Sequence, residues 1–146
     1  MRRLIAAAVL AGLAAPAAAS EMERVAPVRD ALTKKECGSC HMAFQPELLP
    51  ASAWKAVMAD LAKHYSDDAS LPADKAAAIR DYLVANSGSE RWAQAGAGLP
   101  RITEAGWFQR KHRKISERAF KDPKVLTRSN CPACHVDAER GYYEDD

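Results

Sequence analysis

The sequence predicts a small, single-domain, all-α fold: short helices and loops wrapped around bulk that the polypeptide does not itself supply. Three observations carry that prediction. No run of residues alternates apolar and polar as a half-buried strand does, whereas several segments repeat apolar residues at helical spacing. Large apolar side chains are scarce once the N-terminal segment is set aside, so a core made of side chains alone would be marginal. All four cysteines fall in two short clusters, "ECGSCHMAF" near the start and "NCPACHVDAE" near the end, each closed by a histidine.

The N-terminal segment, "MRRLIAAAVLAGLAAPAAAS", reads as a signal peptide. Arg2 and Arg3 supply a positive start, Leu4 to Ala15 an apolar stretch, and Ala17-Ala18-Ala19 a small-residue cleavage site. The apolar stretch is too short to cross a bilayer. Residues 1–19 are therefore expected to be removed, leaving a domain over 20–146 with no membrane span, exported to the periplasm. Cleavage takes two of the 21 basic residues and none of the 19 acidic ones, so the formal net charge of +2 belongs to the signal. An exported chain with balanced charge is a poor nucleic-acid binder. A monomer is expected.

The elements follow in order. Residues 20–32, with Pro27, read as an extended, poorly ordered lead-in. Thr33-Lys34-Lys35-Glu36 matches a capping box that opens a helix running into Cys37. "FQPELLPAS" reads as a loop. "SAWKAVMADLAKHY" sets Trp54, Val57, Met58, Leu61 and Tyr65 at helical spacing, predicting a helix over 51–65 with Ser52 as its cap. "ADKAAAIRDYLVA", residues 73–85, predicts another, with Ile79, Tyr82 and Leu83 inward, ended by "NSGSE". "AGAGLP" reads as a joint, followed by a helix carrying His112 and a short helical piece over 116–120. Asn130 is the expected cap before Cys131. The tail "YYEDD" is acidic.

Four chemistries use paired cysteines. A redox pair needs a strand-to-helix setting, and no strand pattern precedes Cys37. Disulfides or a four-cysteine zinc site would leave both histidines unexplained. Covalent c-type haem attachment accounts for the whole of Cys37-Gly38-Ser39-Cys40-His41 and Cys131-Pro132-Ala133-Cys134-His135. Both thiols of a pair bond the macrocycle, and the adjacent imidazole faces its iron. Two covalently bound haem c groups would also supply the missing apolar bulk.

The two remaining histidines are candidates for the opposite face of each iron. His64 follows His41 by the same number of residues that separates His112 from His135, which suggests that each half closes locally on its own haem. His64 falls at the edge of the Trp54 face, and His112 shares a face with Phe108 and Ile115. Methionine is the other common sixth ligand. Met42 adjoins a proximal histidine, Met22 sits near the terminus, and Met58 is better placed to pack in the core.

Taken together, "ECGSCHMAF", "LLPASAWKAVMADLAKHYSDDASL", "RITEAGWFQRKH" and "NCPACHVDAERG" resemble the small bacterial dihaem cytochromes c. These accompany sphaeroides haem protein and membrane cytochromes b. The resemblance covers nearly all of the chain after the signal. It implies two low-spin haems with proximal ligands His41 and His135 and distal ligands His64 and His112. It also implies an electron carrier rather than an enzyme, with redox protein partners.

Rival readings are a gas sensor or a small haem enzyme in which one distal histidine is displaced. Between Arg101 and Arg128, basic residues outnumber acids nine to three. That run is either a solvated face or a docking surface for an acidic redox partner.

Overall fold

The computed structural model describes residues 24–93 and 99–144; the signal segment, Met22 and most of the "AGAGLP" joint lie outside them. Among the described residues there are five α-helices and no strand. The helices are α1 (Ala31–Cys37), α2 (Ala51–Ala59), α3 (Ala73–Ala85), α4 (Gly106–Lys111) and α5 (Glu117–Phe120), joined by six 3-10 turns. None is long and apolar enough to cross a membrane.

Two apolar clusters hold the described chain together. One gathers Leu49, Ala53, Trp54, Ile79 and Leu83 between α2 and α3, with Leu32, Met58 and Tyr82 at its margin. Ile79 and Leu83 point inward as their spacing requires, one helical turn apart. The other gathers Val25, Leu48, Ala105, Trp107 and Phe108, with Trp92, Phe120 and Tyr143 against it. Phe44 and Ile102 touch both.

The stretch read as a loop, 44–50, is the spine between the clusters. Gln45, Leu48, Leu49 and Pro50 are buried. Its carbonyls receive the two indole N–H groups. Trp54 Nε1 donates to Pro46 O at 2.7 Å and Trp107 Nε1 to Leu48 O at 3.3 Å. Buried backbone needs such partners, and two tryptophans from opposite sides supply them. Gly88 belongs to the same junction. Its N–H donates to Leu49 O, and a Cβ there would sit 2.2 Å from Glu47 O.

Several local expectations are corrected. The cap of α1 is Asp30, whose Oδ2 accepts from Thr33 N at 2.7 Å; Thr33 lies inside the helix and is buried. An Asp just before a helix is as good a cap as Thr, and here it comes first in the chain. Residues 24–30 are extended, but they are anchored: Val25 N–H donates to Gly141 O at 2.9 Å, and Val25 and Val28 are buried.

The helix expected over 51–65 stops at Ala59, because Asp60 leaves helical geometry (φ −144°, ψ 73°). Ser52 does not cap α2. Its N–H and hydroxyl both donate to Glu90, whose carboxylate complements the positive helix end. Asn130 makes no cap either; its amide donates to Val125 O.

Candidate haem sites

The first cysteine pair is set up by α1. That helix delivers Cys37 against the α2–α3 cluster, and the chain turns at Gly38 and Ser39 to leave Cys40 exposed. Gly38 suits this exit, since a Cβ there would press on Lys34 O at 2.3 Å. The second pair has no α-helix behind it. Cys131–Ala133 form a 3-10 turn, and the His135 N–H closes back on Cys131 O at 2.8 Å. None of the four cysteines forms a disulfide. Burial pushes the Cys37 thiol up and the Cys131 thiol up to about 11, so neither is a reactive thiolate. No group of three or more His, Cys, Asp or Glu side chains converges among the described residues, so the four-cysteine zinc site is not assembled there.

The histidines meet in two pairs. His41 and His64 have ring centroids 6.2 Å apart, with planes 21° from parallel. His112 and His135 have centroids 6.1 Å apart, with planes 86° apart. The pairing is the local one that the equal offsets suggest. Each ring is then braced by its surroundings. His41 stacks on Phe44 at 4.9 Å, and its Nδ1 meets Met42 O at 2.7 Å. His112 stacks on Phe108 at 3.9 Å, and its Nδ1 meets Phe108 O at 2.9 Å. An Nδ1–H fixed to a carbonyl leaves Nε2 as the ligating atom.

His64 lies beyond α2, at the end of the 3-10 turn Leu61–Lys63. The next two residues have positive φ, 51° at Tyr65 and 87° at Ser66. This is an uncommon and costly backbone for such side chains, and Tyr65 is tied down by donating its hydroxyl to Pro100 O. Burial, with the neighbouring His41, lowers the His64 pKa and keeps its imidazole neutral. His112 closes the end of α4. Phe108 shares its face as expected, but Ile115 falls beyond the helix and is exposed. Met58 packs at the margin of the first cluster.

The geometry fits haem. A first-row metal sits about 2.0–2.1 Å from an imidazole nitrogen. Two imidazoles on opposite sides of one ion therefore have centroids about 6.3 Å apart, given ring bonds of about 1.3–1.4 Å. Both pairs match that spacing.

Residues 33–143 match the model of the dihaem cytochrome c family. The chain belongs to that family. A diheme cytochrome c from Rhodobacter sphaeroides is 44% identical, with a TM-score of 0.71, covering 81% of this chain and 99% of that one. A second structure from the same organism is 45% identical, with a TM-score of 0.68 over 80% and 98%. A diheme cytochrome c from Shewanella baltica is 40% identical, with a TM-score of 0.69 over 78% and 86%. No match was found among curated proteins. This dihaem cytochrome c thus carries two covalently attached haems and has a haem-based electron-transfer role.

Two contributors were missed from sequence. Gln45 is fully buried. Its amide N–H donates to Ala138 O at 2.6 Å, and its Oε1 accepts from the Tyr143 hydroxyl, also at 2.6 Å. Tyr143 in turn sets its ring edge-on to His135 at 5.5 Å. Burial pushes the Tyr143 phenol far above its ordinary pKa, so it stays a donor. A glutamine set among apolar neighbours in "AFQPELLP" was the one signal available.

Proposed function

We propose that the protein is an exported one-electron carrier in which each haem iron is held by two histidines. His41 and His64 would ligate the iron of the haem attached to Cys37 and Cys40. His112 and His135 would ligate the iron of the haem attached to Cys131 and Cys134. The observation that carries this reading is the spacing of the two histidine pairs, 6.2 and 6.1 Å between ring centroids. A haem supplies one-electron chemistry at its iron. The chain's own part is to fix the imidazoles and exclude water on the cluster side.

Two histidines on each iron would leave no open position for a substrate, which supports a carrier rather than an enzyme. Histidine in place of methionine keeps the potential low. The signal segment over 1–19 supports export and a mature domain over 20–146. The partners are redox proteins, and the carrier works as a monomer.

Mass spectrometry of periplasmic protein should give a chain starting near Ser20 with two haems added. A mass carrying one haem, or retaining Met1, contradicts the reading. His64→Ala and His112→Ala should each convert one haem to high spin. A wholly low-spin spectrum in either variant removes that histidine from the ligand set.

One observation favours a second reading, a gas-responsive haem protein. His64 Nδ1 is buried without a hydrogen-bond partner, so this imidazole is less anchored than His41 or His112. Carbon monoxide added to the reduced protein separates the two, since a carrier's spectrum stays unchanged.

A further inference from the structure

We propose that the basic surface around the second histidine pair is the port through which this protein exchanges electrons with an acidic redox protein. The proposal rests on the carrier reading above and adds the location of the exchange and the chemistry of the partner.

Charge is unevenly spread over a chain that is balanced once its signal is removed. Arg110, Arg113, Lys114, Arg118, Lys121 and Lys124 are all exposed. The acids between Gly106 and Arg128 are Glu117 and Asp122. Both are engaged locally: Glu117 pairs with Arg128, and Asp122 Oδ1 accepts from Lys124 N–H at 2.8 Å. His112 lies inside this run, between Phe108 and Phe120.

His64 of the first pair lies in a stretch of the opposite balance: Asp60, Asp67, Asp68, Asp74 and Asp81 stand there against Lys63, Lys75 and Arg80. An acidic partner is therefore steered to the second end and turned away from the first.

The transfer is one electron from the donor's reduced centre to ferric iron, giving ferrous iron; at the iron no proton moves and no bond changes. The test uses the oxidised holoprotein and two donors. One is reduced plant-type ferredoxin, a low-potential acidic protein. The other is a neutral flavin semiquinone, which gives its electron to the protein and its proton to water.

Lys114→Glu, Lys121→Glu and Lys124→Glu together should cut the second-order rate with ferredoxin at least about tenfold at low salt. The difference should vanish near about 1 M salt, where the screening length is about 3 Å. The flavin rate should stay at the wild-type value. Lys34→Glu, Lys35→Glu and Lys55→Glu, on the first half, should cost much less.

A wild-type ferredoxin rate in the first triple variant overturns the proposal, as does an equal loss in the second. A loss that persists at high salt also overturns it, because the cause is then not charge. If phosphatidylglycerol vesicles bind the wild type but not the first variant, and the ferredoxin rate is unmoved, the surface serves lipid instead. If flavin reduces the protein and ferredoxin does not, the port fails while the carrier reading stands. If neither donor reduces it, the carrier reading fails and takes the port with it.

Discussion

The first motif stands at the end of a capped α-helix, braced by α2 and α3 and by an apolar cluster drawn from nearby sequence. The second stands in a succession of turns, and distant residues hold it: Val25 through Gly141, and Gln45 through Ala138 and Tyr143. The histidine planes differ as well, near-parallel in the first pair and near-perpendicular in the second. The same covalent unit can thus be supported in two ways. One uses local helix packing, where burial does most of the work. The other uses a few long-range polar bonds, where each bond matters because losing it strands its partner.

Substitutions in each half should break in these two different manners. The largest effect is expected in the first half. Trp54→Ala empties the centre of the α2–α3 cluster and removes the shorter of two hydrogen bonds to Pro46 O, and should cost about 3–5 kcal/mol. Denaturant unfolding followed by far-ultraviolet circular dichroism measures it.

Next comes Gln45→Ala, which takes one of two donors from Ala138 O and leaves the Tyr143 hydroxyl without its acceptor, at about 1–3 kcal/mol. Its sharper signature is local. The second haem's potential should shift while the first stays put, as read by spectroelectrochemical titration. Equal shifts at both haems would mean that the staple is not specific to the second site.

Asp30→Ala should cost less than either. The Thr33 N–H holds the Asp30 carboxyl below its ordinary value of 3.8. A depressed carboxylate stabilises the fold above its unfolded pKa and loses that contribution as pH falls through the folded one. Wild type and variant should therefore differ in melting temperature at neutral pH and converge in acid below that value.

The smallest difference is electronic. Ligating iron as proposed, the near-perpendicular imidazoles of the second pair would leave its d orbitals closer in energy than the near-parallel ones of the first. Electron paramagnetic resonance of the oxidised protein should show two low-spin signals, and the more anisotropic one should disappear in His112→Ala.

The sequence carried the chemistry more fully than the support. Cysteine spacing and histidine count point to the four cysteines and four histidines directly, because attachment and ligation constrain residue type at fixed separations. Helix α3 was legible for a similar reason, since its period extends over three turns. The end of α2 was not. Leu61 and Tyr65 continue the apolar spacing, and no proline or glycine announces the break at Asp60.

The spine at 44–50 was hidden because its prolines mark a loop, and a loop is ordinarily on the surface. Here two tryptophans satisfy its carbonyls and allow it inside. Gln45 and Tyr143 have no period at all. Their role exists only where two ends of the chain meet, and Tyr143 sits in a tail whose composition suggests nothing but charge.

The contact between Val25 and Gly141 also imposes an order in time. Gly141 has φ 85°, and a Cβ there would lie 2.0 Å from Val25 O, so the chain's beginning and end close on one another through a position that excludes a side chain. The first site has its cysteines, its histidines and the α2–α3 cluster residues Leu49, Ala53, Trp54, Ile79 and Leu83 by the end of α3, and its remaining supports, Glu90, Pro100 and Ile102, soon after. The second has its own cysteines and histidines by residue 135, yet it waits for Gly141 and Tyr143 to arrive before its brace is complete. A chain emerging N-terminus first therefore finishes its two sites at different moments. One truncated after Arg140 would keep all four cysteines and all four histidines and still lack the brace of the second motif.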